Sequence, residues 1–232
     1  MIVNYIKKSL ILIQSQAFLI PISMFRSLKI FSLILLSFSL SSCVELVEEI
    51  HINKNLSGKY HLYLTHNGLN FLFNSAVKNI DLSQLEQRVK VLSQQDGISE
   101  LSTDINLNKG RLSIAFNFSD AQHLTQAFYS VIGVKKQFYN KSFLQVSPKK
   151  IKRPNLAPYL VKFVKANNLL DQLPSEKILD YISYRYSVSS SFEIQSSGNN
   201  NINTKEGYSQ SFTLKSILLQ KANSKSIVHL KK

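Results

Sequence analysis

Apolar and polar positions change period along this chain, and the changes divide it into segments. Residues 30–40 form an apolar run broken only by serines, led by Arg26 and Lys29 and followed closely by Cys43. After Cys43 the pattern becomes that of a folded body. Residues 45–53 read as a strand with Leu46, Ile50 and Ile52 apolar, and residues 59–65 as a second with Tyr60, Leu62 and Leu64 on one face. Residues 54–58 make the turn between them, and if Ile52 faces Tyr60 across it then His51 faces His61. Residues 81–95 carry Leu82, Leu85, Val89 and Leu92 at helical spacing, opened by Asp81 and closed by Gly97. Residues 98–107 and 111–118 alternate around Asn108-Lys109-Gly110 as a hairpin whose second strand aligns Leu112, Ile114, Phe116 and Phe118. Ser119-Asp120-Ala121-Gln122 resembles a capping box ahead of Leu124, Ala127, Phe128 and Val131, and residues 137–146 read as a returning strand.

From residue 59 this order is strand, helix, strand, strand, helix, strand. It is the ferredoxin-like order, with residues 45–53 as an added N-terminal strand, and it makes 43–147 an α+β region. Residues 148–154 carry two prolines and four cations, which suits an extended connector. Beyond it, Leu156, Tyr159, Leu160, Phe163 and Val164 form a helical stripe opposite Lys162 and Lys165. A long amphipathic strand covers 182–194, with Ile182, Tyr184, Tyr186, Val188, Phe192 and Ile194 on one face. A polar loop at 196–207, a strand at 208–214, a short helix near 216–222 and a last strand at 227–230 complete a second α+β segment, 155–232. That segment is either part of the same domain or a small second one. The fold class is α+β.

The leader changes the picture of where this body resides. The run at 30–40 is signal-peptide length; at about 1.5 Å per residue it reaches roughly 16 Å, half of a hydrocarbon core about 30 Å thick. Read from Met24, with Met1 as the other start, a short basic end, an apolar middle and Ser41-Ser42 precede the only cysteine of the chain. This resembles a bacterial lipoprotein signal peptide, and Leu40-Ser41-Ser42-Cys43 looks like its lipobox. The resemblance implies diacylglyceryl transfer to the Cys43 thiol, cleavage before it and acylation of the new amino terminus, so that 1–42 is lost as a signal peptide. It further implies a lipid-anchored, extracytoplasmic place in the cell envelope. Val44, being neither Asp nor charged, favours the outer membrane where the cell has one. The alternative is an uncleaved signal anchor with Cys43 a free thiol. A lone cysteine fits acylation, since it closes no intramolecular disulfide.

Charge then narrows the partner. The chain holds 28 Lys and Arg against 14 Asp and Glu. No acid occurs between residues 121 and 170, where nine cations do. Lys149, Lys150, Lys152 and Arg153 are the densest of these and are the expected contact for an anionic lipid, an acidic glycan or an envelope protein. An extracytoplasmic address argues against nucleic acid. Catalytic motifs are absent: there is no phosphate loop, no HExxH and no GxSxG. His51, His61 and Glu49 make a possible zinc trio if the two histidines face each other across the first hairpin, although polar side chains on a wet sheet face are the plainer reading. No cofactor is expected. The expected role is non-enzymatic binding or structure through a basic surface. The alternatives are a carrier of a lipid or amphiphile in a groove lined by Tyr184, Tyr186 and Phe192, and a hydrolase with an unrecognised site.

Overall fold

Strand β1, Val44–Ile52, alternates buried Val44, Glu48, Ile50 and Ile52 with more accessible Glu45, Glu49 and His51. The computed structural model describes residues 44–66, 83–106, 109–133, 141–166, 171, 176–197, 202–203 and 207–231. The leader, Cys43 and residues 137–140 of the expected returning strand lie outside them. Ser42–Lys232 forms one compact unit.

The elements after β1 are β2 (Gly58–His66), α1 (Ser83–Val91), β3 (Ile98–Asn106), β4 (Arg111–Phe118), α2 (Ala121–Ile132), β5 (Gln145–Ser147), β6 (Lys150–Arg153), α3 (Ala157–Ala166), β7 (Ile182–Ser190), β8 (Glu193–Ser197), β9 (Ile202–Asn203), β10 (Gly207–Thr213), α4 (Leu214–Leu218) and β11 (Ser226–Lys231). They build two sheets, ordered β3-β4-β2-β1-β7-β10-β9 and β5-β6-β11-β8. The α+β class is borne out. One continuous core joins Ile50 and Phe116 of the large sheet, Val89 of α1, Leu124 of α2, Ile151 and Val228 of the small sheet, and Ile217 of α4.

Local chemistry explains the element ends. Asp120 accepts from the Gln122 and His123 amides at 2.8 and 3.0 Å and starts α2. Those same donors, His123 first, hold its carboxyl below the usual carboxylate range. Gly133 ends α2 at φ +69°, a conformation that suits a residue without Cβ. Gly58 is required for a different reason: a Cβ there would lie 2.1 Å from the His51 carbonyl oxygen and 2.4 Å from the Phe118 ring.

Four expectations need correction, the first being the long strand at 182–194, which is two strands in different sheets: β7 in the large one and β8 in the small one. The order β3-β4-β2 is ferredoxin-like, but the fourth place beside β2 belongs to β1, while residues 145–147 join the small sheet as β5. The added strand is therefore central, antiparallel to β2 and parallel to β7. Residues 148–154 are not a connector, because Lys150–Arg153 is the paired strand β6 with Ile151 and Arg153 buried. Pro148 falls in its turn and Pro154 just after its end, positions at which a missing amide donor does not interrupt a ladder. Within the expected loop at 196–207, Ile202–Asn203 adds an edge strand to β10.

The two sheets meet at a buried ion pair. Arg153 is 1% exposed and Glu48 3%, and Arg153 Nη2 lies 2.7 Å from Glu48 Oε2. The same guanidinium nitrogen donates to the Tyr184 hydroxyl at 2.8 Å, and that hydroxyl in turn donates to Glu48 Oε2. The Arg153 guanidinium carbon sits 3.7 Å from the centroid of the Tyr186 ring and 5.1 Å from that of Phe143. Removing one partner strands the other charge in the core, which typically costs about 3–5 kcal/mol, whereas replacing both by apolar residues is often neutral. Arg153→Met is accordingly expected to lose several times more stability in urea unfolding of the full chain than the double variant Glu48→Leu/Arg153→Met. Equal losses would assign the effect to packing volume and not to charge.

Candidate functional site

Around Glu49 and His51 the face of the large sheet turned away from the core is polar, while Val47 on the same phase of β1 is fully buried. The centre of this polar area is a cleft of about 420 Å³ lined by Glu49, His51, Lys59, His61, Ser187, Ser189 and Ser209, among others. The β1–β2 turn sets who meets whom here. Asn53 opens it, its amide donating to the Ser57 carbonyl at 2.8 Å, so Gly58 already belongs to β2. The pairing is thereby Ile50 with Tyr60, Glu49 with His61 and His51 with Lys59. This slips the expected register by two residues, which preserves every face and changes every partner. His51 Nδ1 lies 2.9 Å from Ser189 Oγ on β7, and His61 Nε2 lies 3.0 Å from Ser113 Oγ on β4. The imidazoles thus turn to strands on opposite sides, and Glu49 accepts from the Tyr63 hydroxyl at 3.0 Å. Among the described residues no group of three or more His, Cys, Asp or Glu side chains is arranged to hold a metal ion.

The tyrosines expected to line a groove turn the other way. Tyr184 and Tyr186 are 4% and 1% exposed and enclose Arg153, and Phe192 is half-buried. Burial pushes the phenols of Tyr60 and Tyr184 well above their ordinary value. It pushes Tyr208 up to about 12, against the pull of Arg153. All three are neutral hydroxyls at physiological pH, suited to hydrogen bonding and unsuited to nucleophilic attack.

The basic cluster divides. Lys149 and Lys150 are exposed, Lys152 is half-buried, and Arg153 lies in the core on Glu48. Arg153 therefore leaves the anionic-partner surface on which it was expected, because alternation along β6 points it and Ile151 inward. The missed residue is Glu48. Its signal is legible: an acid occupies the inward phase of β1, between Leu46 and Ile50.

Position along β1 separates the remaining candidates. Val44 is 4% exposed, pairs with His66 and Ile182, and follows Cys43 directly. Ile52 lies eight steps away, roughly 26 Å at about 3.3 Å per residue. At the Ile52 end, the Ser191 amide donates to the Ile52 carbonyl at 2.8 Å and β8 begins two residues later. β8 pairs with the end of β11, whose Leu230 amide donates to the Lys149 carbonyl at 2.8 Å. The basic turn is thus tied to the Ile52 end of β1, away from Val44.

These features define a mixed α+β domain of two sheets on one core, whose surface candidates are a polar sheet face and a lysine-bearing turn. No protein-family model and no curated protein matches the sequence. Among solved structures, the chain is similar to the folded domain of the LppM protein of Mycobacterium tuberculosis, determined by NMR. The identity is 10%, the match covers 82% of this chain and 90% of that one, and the TM-score is 0.40. No helix among the described residues is long and apolar enough to cross a membrane.

Because exposed substitutions usually change stability by under about 0.5 kcal/mol each, the triple variant Lys149→Gln/Lys150→Gln/Lys152→Gln is expected to stay within about 1.5 kcal/mol of the parent. Arg153→Gln alone should cost more than those three together. Thermal melts of the two variants check this; a triple variant that melts first would make the lysines part of the core.

Proposed function

We propose that the protein is a lipid-anchored lipoprotein of the bacterial envelope, held by an acylated Cys43 and acting by binding, without catalysis, through its lysine-bearing β5–β6 turn. The observation that carries the reading is the start of the fold. Val44, the residue after Cys43, is already buried and paired on both sides in the central strand. Acyl chains on Cys43 leave almost no tether between bilayer and body. Two or three acyl chains at about 0.8 kcal/mol per buried CH₂ anchor stably where one does not.

The direction of the turn bears on its partner. Lys149 and Lys150 belong to the end of the fold remote from Cys43, which favours an acidic glycan or an acidic protein of the envelope over the headgroups of the anchoring bilayer. Exposed lysines attract such a partner over a Debye length of about 8 Å at physiological salt. The phenols near Arg153, neutral and enclosed, favour a structural role for the tyrosine cluster over a carrier groove.

Intact mass of the protein purified from its own membranes tests the anchor. The expected species begins at Cys43 and carries acyl chains, and Cys43→Ala is expected to retain the leader and gain none. A wild-type chain with a free thiol and residues 24–42 still attached ends the lipoprotein reading. For the turn, the full chain in detergent is expected to be retained on a sulfated-dextran resin at low salt and released as salt rises. The Lys149→Gln/Lys150→Gln/Lys152→Gln variant is expected to elute much earlier. A control with the exposed Lys90, Lys109 and Lys225 changed to Gln that elutes equally early would reduce the effect to net charge.

A further inference from the structure

We infer that the Cys43 end of the fold carries a second, non-covalent membrane contact, in which Tyr181 and Leu219, flanked by lysines, seat in the interface of the bilayer that holds the acyl chains. The inference rests on the lipoprotein reading above. Three large hydrophobic side chains stand exposed among the described residues: Val91 at 50%, Tyr181 at 59% and Leu219 at 54%. Two of them converge on one end. Tyr181 immediately precedes β7, whose first residue, Ile182, is the register partner of Val44. β10 ends at Thr213 opposite Ser183, and the Thr213 hydroxyl accepts from the Ser216 amide at 3.2 Å to start α4.

A single ion pair brings α4 beside Tyr181. Lys215 Nζ lies 2.7 Å from Asp180 Oδ2, the residue before Tyr181. One turn further on, the Leu219 amide donates to the Lys215 carbonyl at 2.9 Å, so Leu219 follows Lys215 on the same side of the helix. Ile217 takes the opposite side and is fully buried. Lys177 and Lys221 are exposed at either edge. An amphipathic tyrosine, an aliphatic side chain and peripheral lysines are the chemistry of a membrane interface. The ring and the leucine enter the headgroup boundary while the ammonium groups meet anionic phosphates. Alone this pair is too small to hold a protein on a bilayer. Beside a covalent anchor it is presented at high effective concentration and fixes the tilt of a body that would otherwise pivot on Cys43.

Val91 provides the internal contrast. It closes α1, and the chain runs from there to Ile98, the partner of Phe118, which pairs with Gly58 and so marks the Ile52 end. The chain contains no tryptophan, so one introduced indole reports a single place. The full chain carrying Tyr181→Trp, Leu219→Trp or Val91→Trp is reconstituted in phosphatidylcholine–phosphatidylglycerol vesicles with brominated acyl chains. The first two variants are expected to lose roughly half of their emission to the bromolipid and to resist aqueous acrylamide, since the interface shields them, while Val91→Trp does neither. Acylated protein in which all three variants respond alike overturns the docking surface and leaves the anchor standing. Protein whose intact mass shows no acyl chains overturns both.

Discussion

Arg153 and Glu48 meet where the two sheets close on each other, joined through Nη2 and Oε2 while Nε, Nη1 and Oε1 are buried without a hydrogen-bond partner, and this pair fixes how the sheets sit on one another. Burial by itself drives the Arg153 pKa down, but the carboxylate of Glu48 together with the Tyr184 and Tyr186 phenols more than reverses this, and the guanidinium stays charged. An apolar interface tolerates sliding. A desolvated ion pair does not, because any displacement leaves both charges unpaired in a medium that solvates neither. Glu48 stands in the middle of β1, so the pair holds β6 over the centre of the large sheet. Tyr184 and Tyr186 of β7 are recruited as hydroxyl donor and aromatic face.

That constraint explains why β1 is the central strand. It is paired on both edges, by β2 and β7, and its inward face is covered by the small sheet. Its two ends then acquire different chemistry. The Val44 end gathers the exposed side chains of Tyr181 and Leu219. The Ile52 end is tied to the β5–β6 turn with Lys149 and Lys150. Strand length keeps the two apart, roughly 26 Å at about 3.3 Å per residue.

Much of this was legible in the sequence. Alternation marked the inward faces of β2, β4 and β7, and the capping-box pattern at Ser119–Gln122 marked the start of α2 to within one residue, the cap being Asp120 and not Ser119, because those signals are local: a period of two or a capping side chain needs only its neighbours in sequence. The lipobox-like stretch is likewise a local pattern, and so are the lysines at 149, 150 and 152. The polar phase of β1 and β7, with His51, Ser187 and Ser189, was visible as the solvent side before any partner was known.

What alternation cannot carry is the identity of the neighbour. A slip of two residues in the first hairpin leaves each side chain on its face, so only the geometry of the Asn53–Ser57 turn decided that His61 meets Glu49 and His51 meets Lys59. The same indifference hid the central place of β1, since an inward face reads alike at the edge and the middle of a sheet. Arg153 read as surface because cations usually are, and the chain holds its counter-charge 105 residues away at Glu48. The sequence determined which faces are apolar and which positions start and end many of the elements. The tertiary structure alone decided which charges are buried and which end of the sheet each surface occupies, because both depend on contacts between residues far apart in the chain.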